Sequence, residues 1–188
     1  MKFKNILLPL IALMFISVEA EPLVDQDNAE CKSLDFNNEE RSFSKNFTGS
    51  FNGKKLNYKA SLKEKILYEK DDPSAPMASF FYTEYLVESE KNRPIIFSFN
   101  GGPGSASLWL HMGVLGPKIV KVPSNASDDG SPPYKIIDNK LSPLSNADLV
   151  FIDPIGTGYS RAAGCHDSEE FWGVNEDPKI IAEFIRRW

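Results

Sequence analysis

The residues best suited to chemistry are Asn100-Gly101-Gly102-Pro103-Gly104, a turn that can cluster several backbone N–H groups. Glycine reaches conformations closed to other residues and lets the backbone come close to a ligand. Pro103 lacks an N–H and fixes its own φ, so the donors of Gly101, Gly102 and Gly104 are aimed rather than loose. Donors preorganised in this way stabilise the oxyanion that develops in acyl transfer. The same turn would also serve as a plain connector between two elements.

Other chemistries fit poorly. A phosphate-binding loop needs Gly-Lys-Ser/Thr after its glycines, whereas Gly104 is followed by Ser105-Ala106-Ser107. A second glycine turn, Gly156-Thr157-Gly158, has Arg161 where a dinucleotide fingerprint needs its third glycine. His111 and His166 lack zinc-ligand spacing; the first reads as packed in a turn and the second as exposed beside Cys165. No metal and no cofactor is expected. For acyl transfer, the nearest approach to a nucleophile elbow is Gly158-Tyr159-Ser160-Arg161-Ala162. Pro154 to Thr157 separate it from the preceding strand, so Ser160 reads as a hydroxyl that bonds its own turn. The chain thus offers an oxyanion-hole candidate, Gly102 with Gly101, and no nucleophile.

Strands must hold these turns. Arg93–Asn100 and Ala147–Asp153 are apolar runs that read as buried strands, each ending in a glycine turn. Upstream, strand character runs from Phe47 to Glu88, with a hairpin turn at Gly53-Lys54 and another turn at Asp71–Ser74. Leu108–Val114 reads as a short helical turn ended by Gly116-Pro117, and residues 123–135 as a surface loop. From Asp177 as N-cap and Pro178 as first helical residue, a helix follows whose apolar face carries Ile180, Ile181, Phe184, Ile185 and Trp188. That stripe is still running at Trp188, which predicts a truncated sequence. The order predicts an α/β fold: part of a mostly parallel sheet, preceded by antiparallel strands and incomplete. Ligands of such sheets bind beyond the carboxyl ends of strands, where both glycine turns lie.

Residues 1–20 read as an export signal, with Lys2 and Lys4 before the apolar run Ile6–Ile16 and Val18-Glu19-Ala20 at the cleavage site. A retained anchor is the alternative; no other segment is apolar enough to cross a membrane. Residues 21–46 read as an extended polar lead-in and 47–188 as the N-terminal part of a single, truncated domain. The net charge of −5, from 21 basic and 26 acidic residues well mixed, argues against nucleic acid as a partner. An exported chain favours pairing of Cys31 with Cys165, although two free thiols remain open. Asn46-Phe47-Thr48 and Asn125-Ala126-Ser127 match the N-glycosylation pattern, which matters only in a eukaryotic source.

Phe97 to Ser107, then Leu115-Gly116-Pro117, then Asp153 to Ser160 together resemble the serine carboxypeptidase family. The likeness runs from about Ala78 to Trp188, and Phe171–Asp177 looks most like the bacterial branch. It implies an α/β-hydrolase fold with a Ser-Asp-His triad that would lie beyond Trp188, so that the chain alone is expected to be inactive. It also implies that the Gly102 N–H forms half of the oxyanion hole and that Asn100 helps hold the substrate's C-terminal carboxylate. The partner of the complete, exported enzyme (periplasmic or extracellular) would be a peptide or protein. Three departures stand out. Ser98 replaces a common Trp, Val114 replaces a Glu of the carboxylate-binding network, and Asp153 replaces a common Gln and is expected to matter least. Alternatives are an esterase, an acyltransferase, a proline-releasing aminopeptidase (against which Asn100 counts), or a non-enzymatic half-domain that binds a partner.

Overall fold

Two residues with positive φ, Asn52 (47°) and Gly53 (79°), turn the chain between the first two strands. Positive φ at both central positions matches the twist of a tight hairpin. The computed structural model describes residues 39–88, 92–101, 104–122, 125 and 132–188, all within one compact unit, Cys31–Trp188. The export-signal reading, Cys31, Gly102 and Pro103 lie outside the described residues, as does most of the 21–46 lead-in.

Strand β1 (Ser42–Phe51) pairs antiparallel with β2 (Lys54–Tyr68), which pairs antiparallel with β3 (Pro76–Val87). β1 starts before Phe47, where strand character begins in the sequence. Nine of its ten residues are not buried, so no alternation of apolar side chains marks its first half, and backbone pairing alone defines it. The chain continues through β4 (Ile95–Ser98), a single helical turn α1 (Leu108–Leu110) that runs on as a wider turn over His111–Leu115, and a small hairpin of β5 (Lys118–Val120) and β6 (Ile136–Asp138). A 3-10 turn at Pro143–Ser145 leads into β7 (Asp148–Ile152), followed by β8 (Arg161–Ala162), a 3-10 turn at Ser168–Phe171, and α2 (Glu176–Arg187).

The main sheet runs β1-β2-β3-β7-β4, with β8 beside β3. Its only parallel pair is β4 with β7, so the described sheet is mixed rather than mostly parallel. Hairpin connections force antiparallel pairing of β1 to β3, whereas the long crossover from β4 to β7 permits the parallel pair.

Both central strands are covered on two faces, which explains why apolar residues point to both sides of each. On one face Phe80 and Tyr82 of β3, with Val150 and Ile152 of β7, pack against Ile180, Ile181 and Phe184 of α2. On the other, Tyr85, Leu149 and Phe151 pack with Phe51, Tyr58 and Leu144, with Leu110 and Leu115 beside them. β4 departs from its expected burial: Ile95 and Ile96 are 40% and 36% exposed. Among the described residues it pairs only with β7, so it forms one edge of the sheet. α2 also starts earlier than its sequence suggests, because the Asp177 N–H already bonds the Gly173 carbonyl at 3.3 Å and places Asp177 inside the first turn.

Candidate functional site

Parallel pairing in the register Ile95 with Asp148 through Ser98 with Phe151 brings the carboxyl ends of β4 and β7 side by side. The start of β4 is pinned by Arg93, whose Nε donates to Asp148 at 2.9 Å and whose Nη2 donates to the Leu144 carbonyl at 2.6 Å. The two glycine turns therefore emerge from the same end of the sheet, as ligand-binding turns do in open α/β sheets.

The turns differ in what surrounds them. At Gly101, and at Gly104 with φ +98°, an added Cβ would meet no atom within 4 Å. At Gly156 (φ +83°) it would lie 2.9 Å from the Trp172 ring, and at Gly158 (φ +53°) it would run into the Asp153 carboxylate. The glycines after β7 make room for protein; Gly101 and Gly104 face open space. Trp172 seals the second turn by donating its Nε1–H to the Ile155 carbonyl at 3.0 Å.

Asn100 accepts from the Leu110 N–H through Oδ1 at 3.4 Å, which ties the turn to α1. An amide anchored by its oxygen presents its nitrogen as a donor, the group a carboxylate accepts. Ser107, at the N-cap of α1, donates both its N–H (2.8 Å) and its hydroxyl (2.9 Å) to Asp153 Oδ1. The Gln-to-Asp departure expected to matter least thus makes the direct bridge between the two turns. Its importance could not be read from sequence, because the bridge spans a crossover of more than forty residues.

Ser160 is fully buried; its hydroxyl accepts from the Phe81 N–H at 2.8 Å and donates to the Asp153 carbonyl at 2.7 Å. It bonds the turn and is in no position to attack a substrate. Beside α1, Leu108, Trp109, Met112, Ile119, Val122 and Ile137 line a mostly apolar groove of about 620 Å³. Val114 is 58% exposed.

His111 is packed, as its sequence context suggests. It stacks on Phe151 with ring centroids 4.4 Å apart, and its Nε2 lies 2.6 Å from the Tyr85 hydroxyl. Burial lowers its pKa to about 4, against the upward pull of Asp153. His166 is more enclosed than expected, because its two ring nitrogens face Glu170 at 2.7 Å and Glu69 at 2.5 Å. The bond to Glu170, then that to Glu69, raises its pKa, while burial opposes them. Cys165 is disulfide-bonded. Among the described residues no His, Cys, Asp and Glu group could hold a metal ion, and no helix is long and apolar enough to cross a membrane.

These histidines set opposite pH limbs. His166, with a raised folded pKa, contributes stability that is complete below about 6.5 and is lost as pH rises through the folded value. His111, with a depressed one, costs stability as pH falls from about 6.5 toward about 4. His166→Gln is expected to lower Tm by about 2 °C near pH 5.5 and to have less effect near pH 8.5. An equal loss at both pH values in thermal melts would refute the pairing.

A strand-ended turn whose Gly101 and Gly104 face open space, set beside a second turn that supports it, lies at the carboxyl end of a mixed sheet that is compatible with an α/β fold. A model of the serine carboxypeptidase family matches residues 60–188, and the chain belongs to that family. Serine carboxypeptidase-like 9 of Arabidopsis thaliana is 32% identical over 113 residues, covering 58% of this chain and 24% of the relative. Carboxypeptidase Y homolog A of Leptosphaeria maculans is 34% identical over 95 residues, covering 50% of this chain and 16% of the relative. The corresponding protein of Coccidioides posadasii is 33% identical over 95 residues, with the same 50% and 16% coverage. The chain thus spans less than a quarter of the length of these relatives.

Proposed function

We propose that the turn after β4 is the oxyanion and carboxylate-binding side of a serine-type carboxypeptidase site in an exported α/β-hydrolase enzyme. In this reading the N–H groups of Gly102 and Gly101 hold the tetrahedral oxyanion formed when a serine attacks the last peptide bond. Asn100 donates to the substrate's terminal carboxylate, and the acyl-enzyme is then released by water. The nucleophile and the rest of the triad are assigned to no residue of this sequence. One observation carries the reading: Gly101 and Gly104, on either side of Gly102, face open space, whereas the sites at Gly156 and Gly158 are filled by Trp172 and Asp153. The disulfide at Cys165 supports an oxidising, extracytoplasmic location, and the Phe171–Asp177 segment supports the bacterial-type branch.

The exposed Val114, where carboxylate recognition would use a Glu, favours a second reading in which the same turn serves an esterase or acyltransferase. One assay separates them. The full-length gene product is incubated with N-blocked dipeptides bearing a free carboxylate, with their amides, and with matched esters. Release of the last amino acid from the free acids, with Asn100→Ala raising KM for these substrates about tenfold or more, is the expected result. Cleavage of esters alone would favour the second reading, and no turnover together with no labelling by a serine-directed phosphonate would remove both.

A further inference from the structure

We propose that Asp153 is a positioning residue that holds the turn after β4 in shape through Ser107; its relevance to catalysis rests on the function proposed above. Between the end of β4 at Ser98 and the first residue of α1, the described turn glycines touch no protein at the sites a side chain would occupy. The described side-chain hydrogen bonds that hold it lie toward its two ends. One end is β4. The other is Ser107, only 3% exposed, whose N–H and hydroxyl converge on one Asp153 oxygen. Asn100 bonding to Leu110 closes the turn onto α1, so the position of α1 passes directly to the substrate-facing residues.

Asp153 is itself rigidly mounted. Its N–H donates to the Phe81 carbonyl at 3.1 Å, and its carbonyl accepts from Ser160, which also takes the Phe81 N–H. These bonds lock it to the central strand β3. Its second carboxylate oxygen fills the space where Gly158 lacks a side chain, so the glycine of the second turn serves the strut of the first. A Gln at this position would carry its oxygen one carbon further, and the Gly158 gap is matched to the shorter side chain.

Hydrogen exchange on the full-length protein tests this. Asp153→Ala is expected to speed exchange about tenfold across residues 99–107 while leaving β3 and β7 unchanged. Asp153→Asn, which keeps an acceptor oxygen at the same length, should restore most of the protection, and Ser107→Ala should give a partial loss. The double variant Asp153→Ala with Ser107→Ala should lose no more than Asp153→Ala alone. Unchanged exchange in Asp153→Ala, equal loosening of β7, or failure of Asp153→Asn to rescue would each overturn the proposal. On substrate, the loosened turn should lower kcat more than it changes KM. A wild-type protein without hydrolase activity would reject the proposed function, while the exchange data would still decide the role of Asp153.

Discussion

Phe184→Ala is expected to destabilise the protein by about 3–5 kcal/mol. Phe184 is fully buried on the inner face of α2, with its ring 5.2 Å from Phe80 and 5.0 Å from Tyr82. It stands over the centre of β3, the strand that pairs with β2, β7 and β8. Truncation removes the transfer free energy of an aromatic ring and leaves a cavity that the rigid sheet below cannot collapse to fill. Glu183, one residue earlier, pairs among the described residues with Arg186 and Arg187 of its own helix, so Glu183→Ala should cost under about 1 kcal/mol. Urea unfolding of the two variants checks this; a Phe184→Ala loss below about 1 kcal/mol would show that α2 is not seated as described.

Lys63→Met is the second large effect, about 3–5 kcal/mol, and its origin is electrostatic. Glu84 lies in the middle of β3 with its side chain 2% exposed, 2.6 Å from the Lys63 ammonium. The Trp188 indole N–H also donates to it at 3.3 Å, linking the sheet to the end of α2. Removing the cation leaves a buried carboxylate with one weak donor, and desolvation of that charge dominates the cost. Replacing both partners, as Lys63→Met with Glu84→Leu, removes the stranded charge and should recover most of the loss. A double variant as unstable as Lys63→Met alone would show that lost packing, not a stranded charge, is responsible.

Much of this organisation was legible in the chain. The runs at Ala78–Val87 and Ala147–Asp153 read as buried strands because both faces of β3 and β7 are covered, which puts apolar residues on both sides of each strand. The stripe of Ile180, Ile181 and Phe184 was visible because helical packing repeats every three to four residues. Less visible was the start of β1, since a solvated edge strand carries no such pattern. The exposure of Ile95 and Ile96 was also hidden, because apolar composition does not say whether a strand will be covered.

By itself the sequence determined how the Asn100–Gly104 backbone is restricted: glycine and proline at fixed spacing limit the local backbone, and that limit travels with the residues. It also made Ser160 read as a hydroxyl that bonds its own turn rather than as a nucleophile, and it carried the family likeness. Only the tertiary structure decided which glycine turn is open and which is filled, since the deciding atoms come from Asp153 and Trp172 on other segments. The same holds for the bridge from Asp153 to Ser107 and for the two carboxylates around His166. Such contacts join residues far apart along the chain, and their geometry exists only once the sheet has set its register.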